Sequence, residues 1–282
     1  MNFIVTFCEG PHDSAFLARI LKTNFYKTYH IKISDYPYPL KEMFLNSLKN
    51  NNYEELNIEQ ISSSMLPRKI LKKENNIILL YALGGNRQYD RVKNILEKFN
   101  DIVNNNSNNL IGMDTENSYN FIFFNDADED LDEEVKKINT FLYNFYGKEF
   151  NIKHNDIKNK FGIYIFHENN KGTLENLLKE IVYLDNKKLF NDIEIFYNTH
   201  FDNNRLKRLK IVNQSGILVE KRESNFQKEY PLKAKINIAG QLQNSGVSQV
   251  VTIDKSDLIT LNKLQNNKKV QEIIEFFKKV EI

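Results

Sequence analysis

Asn2-Phe-Ile-Val-Thr-Phe-Cys8-Glu9-Gly10-Pro11-His12-Asp13 is the stretch that decides the fold. Residues 2–8 form a short β-branched and aromatic run, the mark of a strand buried on both faces. Gly10 and Pro11 interrupt it. Proline is suited to the first position of a helix, and Asp13 then falls in the first turn, where a negative charge opposes the helix dipole. Phe16, Leu17, Ile20 and Leu21 recur at the helical spacing. The reading is strand, tight turn, helix, with the carboxylate of Glu9 at the turn.

The same alternation continues outward. Residues 76–83 give a second core strand, closed by Gly84-Gly85-Asn86, and Val92, Ile95, Leu96 and Phe99 line the helix that follows. Residues 119–124 give a third strand, ending in Asn125-Asp126-Ala127-Asp128. Asp130 to Glu133 opens a helix faced by Val135, Ile138, Phe141, Leu142 and Phe145. Residues 161–166 read as a fourth strand, and Gly172-Thr-Leu-Glu175 opens another helix. Repeated strand and helix argue for an α/β fold with a parallel sheet and right-handed crossovers.

Residues 30–76 read as an insertion, broken at Tyr36-Pro37-Tyr38-Pro39, with helices near 41–49 and 57–73. The second of these carries a basic edge at Arg68, Lys69, Lys72 and Lys73. Residues 104–109 read as a polar loop, and further helices are expected near 186–198 and 255–280. No linker composition separates the two parts, so 1–182 is read as a core and 183–282 as a basic C-terminal elaboration of the same domain.

The 282 residues are 41% hydrophobic and 27% charged, enough for a sizeable core and unlike a disordered chain. A net charge of +2 gives no bulk case for nucleic-acid binding. Residues 185–282, however, hold 17 Lys/Arg against 12 Asp/Glu, while residues 1–184 hold 22 against 25. That asymmetry fits a polyanionic partner, or ordinary variation of surface charge. One cysteine, Cys8, excludes an intramolecular disulfide. No apolar run has the length of a membrane helix, and no signal-peptide pattern opens the chain, so no membrane association and a cytoplasmic setting are expected.

In a parallel α/β sheet the C-terminal strand ends share one edge. Glu9 and the Asp126/Asp128 pair face one crevice if their strands are neighbours. Carboxylates gathered there raise each other's pKa unless a positive charge relieves them. A hard divalent cation does so, and Mg²⁺ takes one or two carboxylates with waters and substrate phosphates. Asp126 and Asp128 are two apart, which aims both the same way in extended chain, and Asp130 is left as the helix cap. Asp13 and Glu175, each in a first helical turn, serve by default as dipole partners. The histidines show no metal-ligand spacing, although His12 is placed to contact a phosphate; Cys8 reads as a buried inert thiol. Arg205, Lys207, Arg208 and Lys210 read either as a solvated basic face or as contacts to a nucleic-acid backbone.

Taken in order, Glu9-Gly-x-x-Asp13, Gly84-Gly85 and Asp126-x-Asp128 resemble a Toprim domain, the catalytic module of topoisomerases, primases, OLD-type nucleases and small ribonucleases. The Glu-Gly-x-x-Asp form looks most like the nuclease branches, and Gly172-Thr-Leu-Glu175 looks like a helix opening of stand-alone Toprim nucleases of anti-phage defence. The resemblance covers roughly residues 1–182. It implies a Rossmann-like core, a mostly parallel sheet flanked by helices, with a helical insertion and a C-terminal elaboration. It makes Glu9 a general acid/base or metal ligand, Asp126 and Asp128 a metal-binding pair, and Asp13 and Glu175 further metal-proximal acids. The implied cofactor is Mg²⁺, with Mn²⁺ as a substitute.

The implied activity is endonucleolytic cleavage of DNA or RNA, as the toxic effector of an anti-phage system. Any ATPase would be a separate subunit, because no such domain is present in the chain; oligomerisation is left open. The alternative is a catalytically silent Toprim-like module that binds nucleic acid or a partner. Aspartyl-phosphate receivers and haloacid-dehalogenase-type phosphatases fit less well, since here the glutamate comes first and Asp-x-Asp later.

Overall fold

The structure is a computed structural model that describes residues 1–48, 53–61, 63, 65–84, 88–108, 117–202, 208–212, 217–221 and 231–282, with backbone alone at 103–108, 208–212 and 217–221. The first strand, β1 (Asn2–Cys8), is buried at every residue and leads through Glu9 and Gly10 into α1 (Pro11–Thr23). It occupies the middle of the sheet. On one side it pairs in parallel with β4 (Asn76–Ala82), and on the other with β5 (Ser118–Asp126). Beyond β5 lies β7 (Phe161–Phe166), again parallel. This central position explains the uninterrupted apolar run, because both neighbours and both faces are covered.

The parallel strands are flanked by short antiparallel ones. β2 (Lys27–Thr28) pairs with β3 (Lys69–Lys73), which pairs with β4, and β6 (Asp156–Lys158) pairs with β7. The seven-stranded order is β2-β3-β4-β1-β5-β7-β6. Alternate residues of β1 feed two cores. Phe3, Val5 and Phe7 face α2 (Leu40–Ser47), α3 (Gln88–Asn108) and α4 (Leu131–Tyr146). Ile4 and Cys8 face α1 and α5 (Leu174–His200). The fold is therefore a mixed α/β sandwich with a mostly parallel sheet between helical layers.

The C-terminal part joins the second core. α6 (Pro231–Gln243) packs on α5, and α7 (Gln249–Lys255) packs on α1. α8 (Leu261–Gln265) and α9 (Lys268–Lys278) complete the layer, with Phe276 and Phe277 fully buried. Polar contacts fix α7. Arg19 donates to the carbonyls of Ile253 at 2.9 Å and Ser256 at 2.6 Å, and Asp254 takes Lys69 at 3.0 Å and Lys22 at 3.4 Å. A separate hairpin, β8 (Arg208–Val212) with β9 (Ile217–Lys221), lies in the same half of the chain.

Local structure departs from the sequence reading in four places. The helix expected over 57–73 is a 3₁₀ turn at Ile58–Gln60 followed by β3. Glu74 at φ 52° makes the tight turn that folds β3 back on β4, burying both Ile70 and Leu71. Its expected basic edge is partly consumed: Lys69 reaches Glu59 at 3.3 Å as well as Asp254, and Lys73 reaches Glu281 at 2.7 Å. Residues 104–108, expected as loop, continue α3, whose buried face of Val92, Ile95, Leu96 and Phe99 outweighs a polar end. The helix near 186–198 is the second half of α5, bent where Asn186 leaves helical geometry. The expected 255–280 helix is broken into α8 and α9 because Asn267 caps a new start, accepting from the Val270 N–H.

Candidate active site: an acidic crevice beside the central strand

The register of the sheet brings the acids together. Cys8 of β1 lies opposite Phe124 of β5 and Ala82 of β4, so Glu9 emerges between Leu83 and Asn125, one strand from Asp126. The Gly84 N–H donates to the Glu9 carbonyl at 2.6 Å, and Arg91 donates to the Gly84 carbonyl at 2.8 Å, which ties the β4 loop to the β1 turn. Gly84 has φ +25°, and a Cβ there would stand 3.3 Å from the Glu9 carbonyl. That close approach accounts for the glycine. Gly85 and Asn86 lie outside the described residues.

Two of the carboxylates are held by backbone N–H groups. Asp13 is buried and accepts from the Gly10 N–H at 2.5 Å. Asp126 accepts from the Leu174 N–H at the start of α5, at 2.8 Å, so β5 and α5 meet through this side chain. Asp128 adopts φ 49° and exchanges backbone bonds with Gly172, 3.0 and 2.9 Å long, which fastens the β5 loop to the loop before α5. Glu175 is nine-tenths buried and paired with Lys233 of α6 at 3.0 Å.

The crevice gathers more negative charge than Lys233 offsets. Asp13 has its pKa pushed up to about 7, by burial first and then by Glu9 and Glu175, against the Gly10 hydrogen bond and Lys233. Asp126 is raised well above the ordinary range by burial and by Asp13, Glu9 and Glu175. Glu9 keeps solvent contact, yet crowding of its carboxyl by protein, followed by Asp128 and Glu134, raises it too. Glu175 alone is lowered: burial opposes ionisation, but the Lys233 ammonium and the Thr173 hydroxyl prevail. His12 is held below its usual pKa by burial first and then by Lys233, against Glu175.

Glu9 and Glu175 thus both act on Asp13 and Asp126, and Asp128 acts on Glu9. Two participants had no marker in the sequence. Glu134 accepts from Asn125 at 2.9 Å and adds charge next to Glu9. Lys233, far along the chain, supplies the crevice's cation; no local pattern around it announces the role. Arg205 and Lys207 lie outside the described residues, and Arg208 and Lys210 are described only as backbone of β8.

The donor set suits a hard cation, since every group is a carboxylate and three of them are raised, by burial first and then by neighbouring carboxylates. Among the described residues, no three acids, histidines or cysteines converge as a ready-made metal cage. Mg²⁺ needs no such cage, because waters and substrate oxygens complete its shell.

His154 and His167 form a pair, their ring centroids 4.8 Å apart. His154 accepts from the Ile165 N–H through Nδ1 at 3.1 Å, which leaves Nε2 protonated and aimed toward Glu272, 3.9 Å away. Burial, then His167 and Lys279, lower its pKa to about 4. Below the unfolded value near 6.5 the unfolded chain takes up a proton that the folded chain refuses, so this group removes stability as pH falls from 6.5 toward 4. His154→Gln is expected to lose less stability than wild type over that window, by up to about 3 kcal/mol. Urea unfolding at pH 4 and 6.5 measures the difference, and parallel losses in the two proteins would contradict it.

Fold and crevice define a class: an open α/β protein with a candidate site at the C-terminal edge of its parallel strands. The chain belongs to the family described as a protein of unknown function, DUF3226, whose profile matches residues 5–281 and so spans both Glu9 and Lys233. No curated protein matches it. Among solved structures, the crystal structure of a hypothetical protein from Pyrococcus horikoshii OT3 is similar over 99% of this chain and 95% of its own, at 14% identity and a TM-score of 0.49. Among the described residues, no helix is long and apolar enough to cross a membrane.

Proposed function

We propose that this protein is a metal-dependent nuclease with a Toprim-like catalytic crevice, cutting phosphodiester bonds in DNA or RNA. The observation that carries the reading is the β1/β5 register, which sets Glu9 at the end of β1 one residue short of Asp126 on the neighbouring strand, with Asp13 buried in the first turn of α1. Glu9, Asp126 and Asp128 would hold Mg²⁺ or Mn²⁺. A cation bound there would polarise a phosphate oxygen and acidify its water. Glu9, which keeps solvent contact, would take a proton from that water, and Asp126, whose carboxylate accepts from the Leu174 N–H, would serve as a ligand. A role as the toxic effector of an anti-phage system, regulated by a separate ATPase, is part of the proposal and rests on the motif resemblance.

The second reading is a silent module that binds nucleic acid or a partner. Incubating the protein with plasmid, single-stranded DNA and total RNA in Mg²⁺, Mn²⁺ or EDTA separates the two. Cleavage that EDTA abolishes supports the nuclease; binding of the same nucleic acids without cleavage in either metal supports the silent module.

A further inference from the structure

An open groove runs between α3 and α4, lined by Tyr89 of α3 and by Phe141 and Phe145 of α4, each half-buried. Two adjoining hollows that share Tyr89, Phe141 and Asn144 make up the groove, with volumes of about 520 and 440 Å³. Each is of the size that takes a small ligand or one unit of a polymer. The Tyr89 and Phe141 rings have centroids 5.0 Å apart, and Phe145, one turn on from Phe141, is stacked with it at 6.2 Å. On its inner side Phe141 meets Phe123 of β5 at 6.1 Å, so the sheet holds this aromatic platform in place.

The groove adjoins the acidic crevice. Gln88, beside Tyr89, donates to Asn125 Oδ1 at 3.4 Å, and Asn125 follows the β5 residue that lies opposite Cys8. Asn125 in turn donates to Glu134 at 2.9 Å, and Glu134 takes Lys137 of the groove wall at 3.1 Å. Asn125 is therefore shared between the groove and the strand edge from which Glu9 and Asp126 emerge.

The walls set three lysines, Lys93, Lys136 and Lys137, against three acids, Asp90, Glu97 and Glu133. Lys137 is held by Glu133 and Glu134, and Lys93 lies 3.9 Å from Glu97. Lys136 is exposed and, among the described residues, has no ion pair. A duplex is gripped through many phosphate contacts, which need a continuous positive track. This groove has no such excess of charge. It offers ring faces, which accept any unpaired base, and one lysine for a neighbouring phosphate.

We propose that the groove takes an unpaired nucleobase, stacked on Tyr89 and Phe141 with Lys136 beside its phosphate, so that the strand presented to Glu9 and Asp126 is single-stranded. This rests on the nuclease reading above and names the substrate class of that site.

The test measures binding to the full chain in EDTA, so that nothing is cut. Fluorescein-labelled oligothymidylate, oligouridylate, an abasic strand of the same length and a duplex are titrated with wild type, Tyr89→Phe, Tyr89→Leu and Phe141→Leu, and followed by anisotropy. Circular dichroism checks that each variant is folded. The single strands are expected to bind at least about tenfold tighter than the duplex and the abasic strand. Tyr89→Phe keeps a ring and should bind within about twofold of wild type, whereas Tyr89→Leu should weaken single-strand binding by about 5- to 100-fold, the range for one lost stacked base. A fluorescent base analogue in the strand should be quenched by wild type and not by Tyr89→Leu. Preference between the two single strands then separates DNA from RNA. A duplex bound as tightly as the single strands overturns the proposal, and so do folded Tyr89→Leu and Phe141→Leu that both bind as wild type does. With Mg²⁺ restored, cleavage of the single strands at the wild-type rate by both leucine variants overturns the groove and leaves the nuclease reading standing. Neither binding nor cleavage of any nucleic acid overturns both.

Discussion

Under the proposed nuclease function, Glu9→Gln is expected to slow Mg²⁺-dependent phosphodiester cleavage by about 10²–10⁴-fold, the usual cost of losing a positioned acid/base group. Stability should move the other way. The Glu9 pKa is raised in the folded chain, so ionising Glu9 near neutral pH is harder folded than unfolded, and the charge opposes folding there. Glutamine keeps the shape and removes the repulsion with Asp128 and Glu134. Metal-free Glu9→Gln should therefore melt no lower than wild type, while single-turnover cleavage of a defined oligonucleotide collapses. A variant that cuts within threefold of wild type would remove Glu9 from the chemistry. One that loses activity and melting temperature together would point to a structural role.

Phe276→Ala is expected to destabilise the whole chain by about 3–5 kcal/mol, the range for deleting a buried aromatic ring. Phe276 is fully buried, its ring 5.4 Å from that of Tyr164 in β7, and an added Cβ on Gly162 would stand 3.0 Å from it. The ring thus ties the C-terminal helices to the sheet. Urea unfolding followed by tyrosine fluorescence and by far-ultraviolet circular dichroism should show one shifted transition common to both probes. Two separated transitions would mean that residues beyond α5 fold on their own, against the reading of 183–282 as part of one domain.

Much of this arrangement was legible because burial writes itself plainly into composition. β1, β4, β5 and β7 have a helical layer on each face, so their apolar runs are continuous and their bounds fall close to those read from sequence. The edge strands were not legible for the complementary reason. β3 is three-fifths lysine and β2 and β6 are very short, so nothing in their composition separates them from helix or loop. Glu9 and Asp126 could be assigned to strand ends, but their proximity depends on β1 and β5 being neighbours, which is a property of strand order. Lys233 lay beyond reach altogether. Its environment is made by α1, β5 and α5, and its flanking residues, Leu232 and Ala234, carry no trace of it.

The short strands at the two margins of the sheet have a consequence for the protein in concentrated solution. β2 offers two residues and β6 three, with Lys27 and Lys158 exposed on them. An incoming strand finds too few free backbone groups to template on, and a charge to desolvate beside them. Among the described residues, the margins of the seven-stranded sheet are therefore poor templates for edge-to-edge growth.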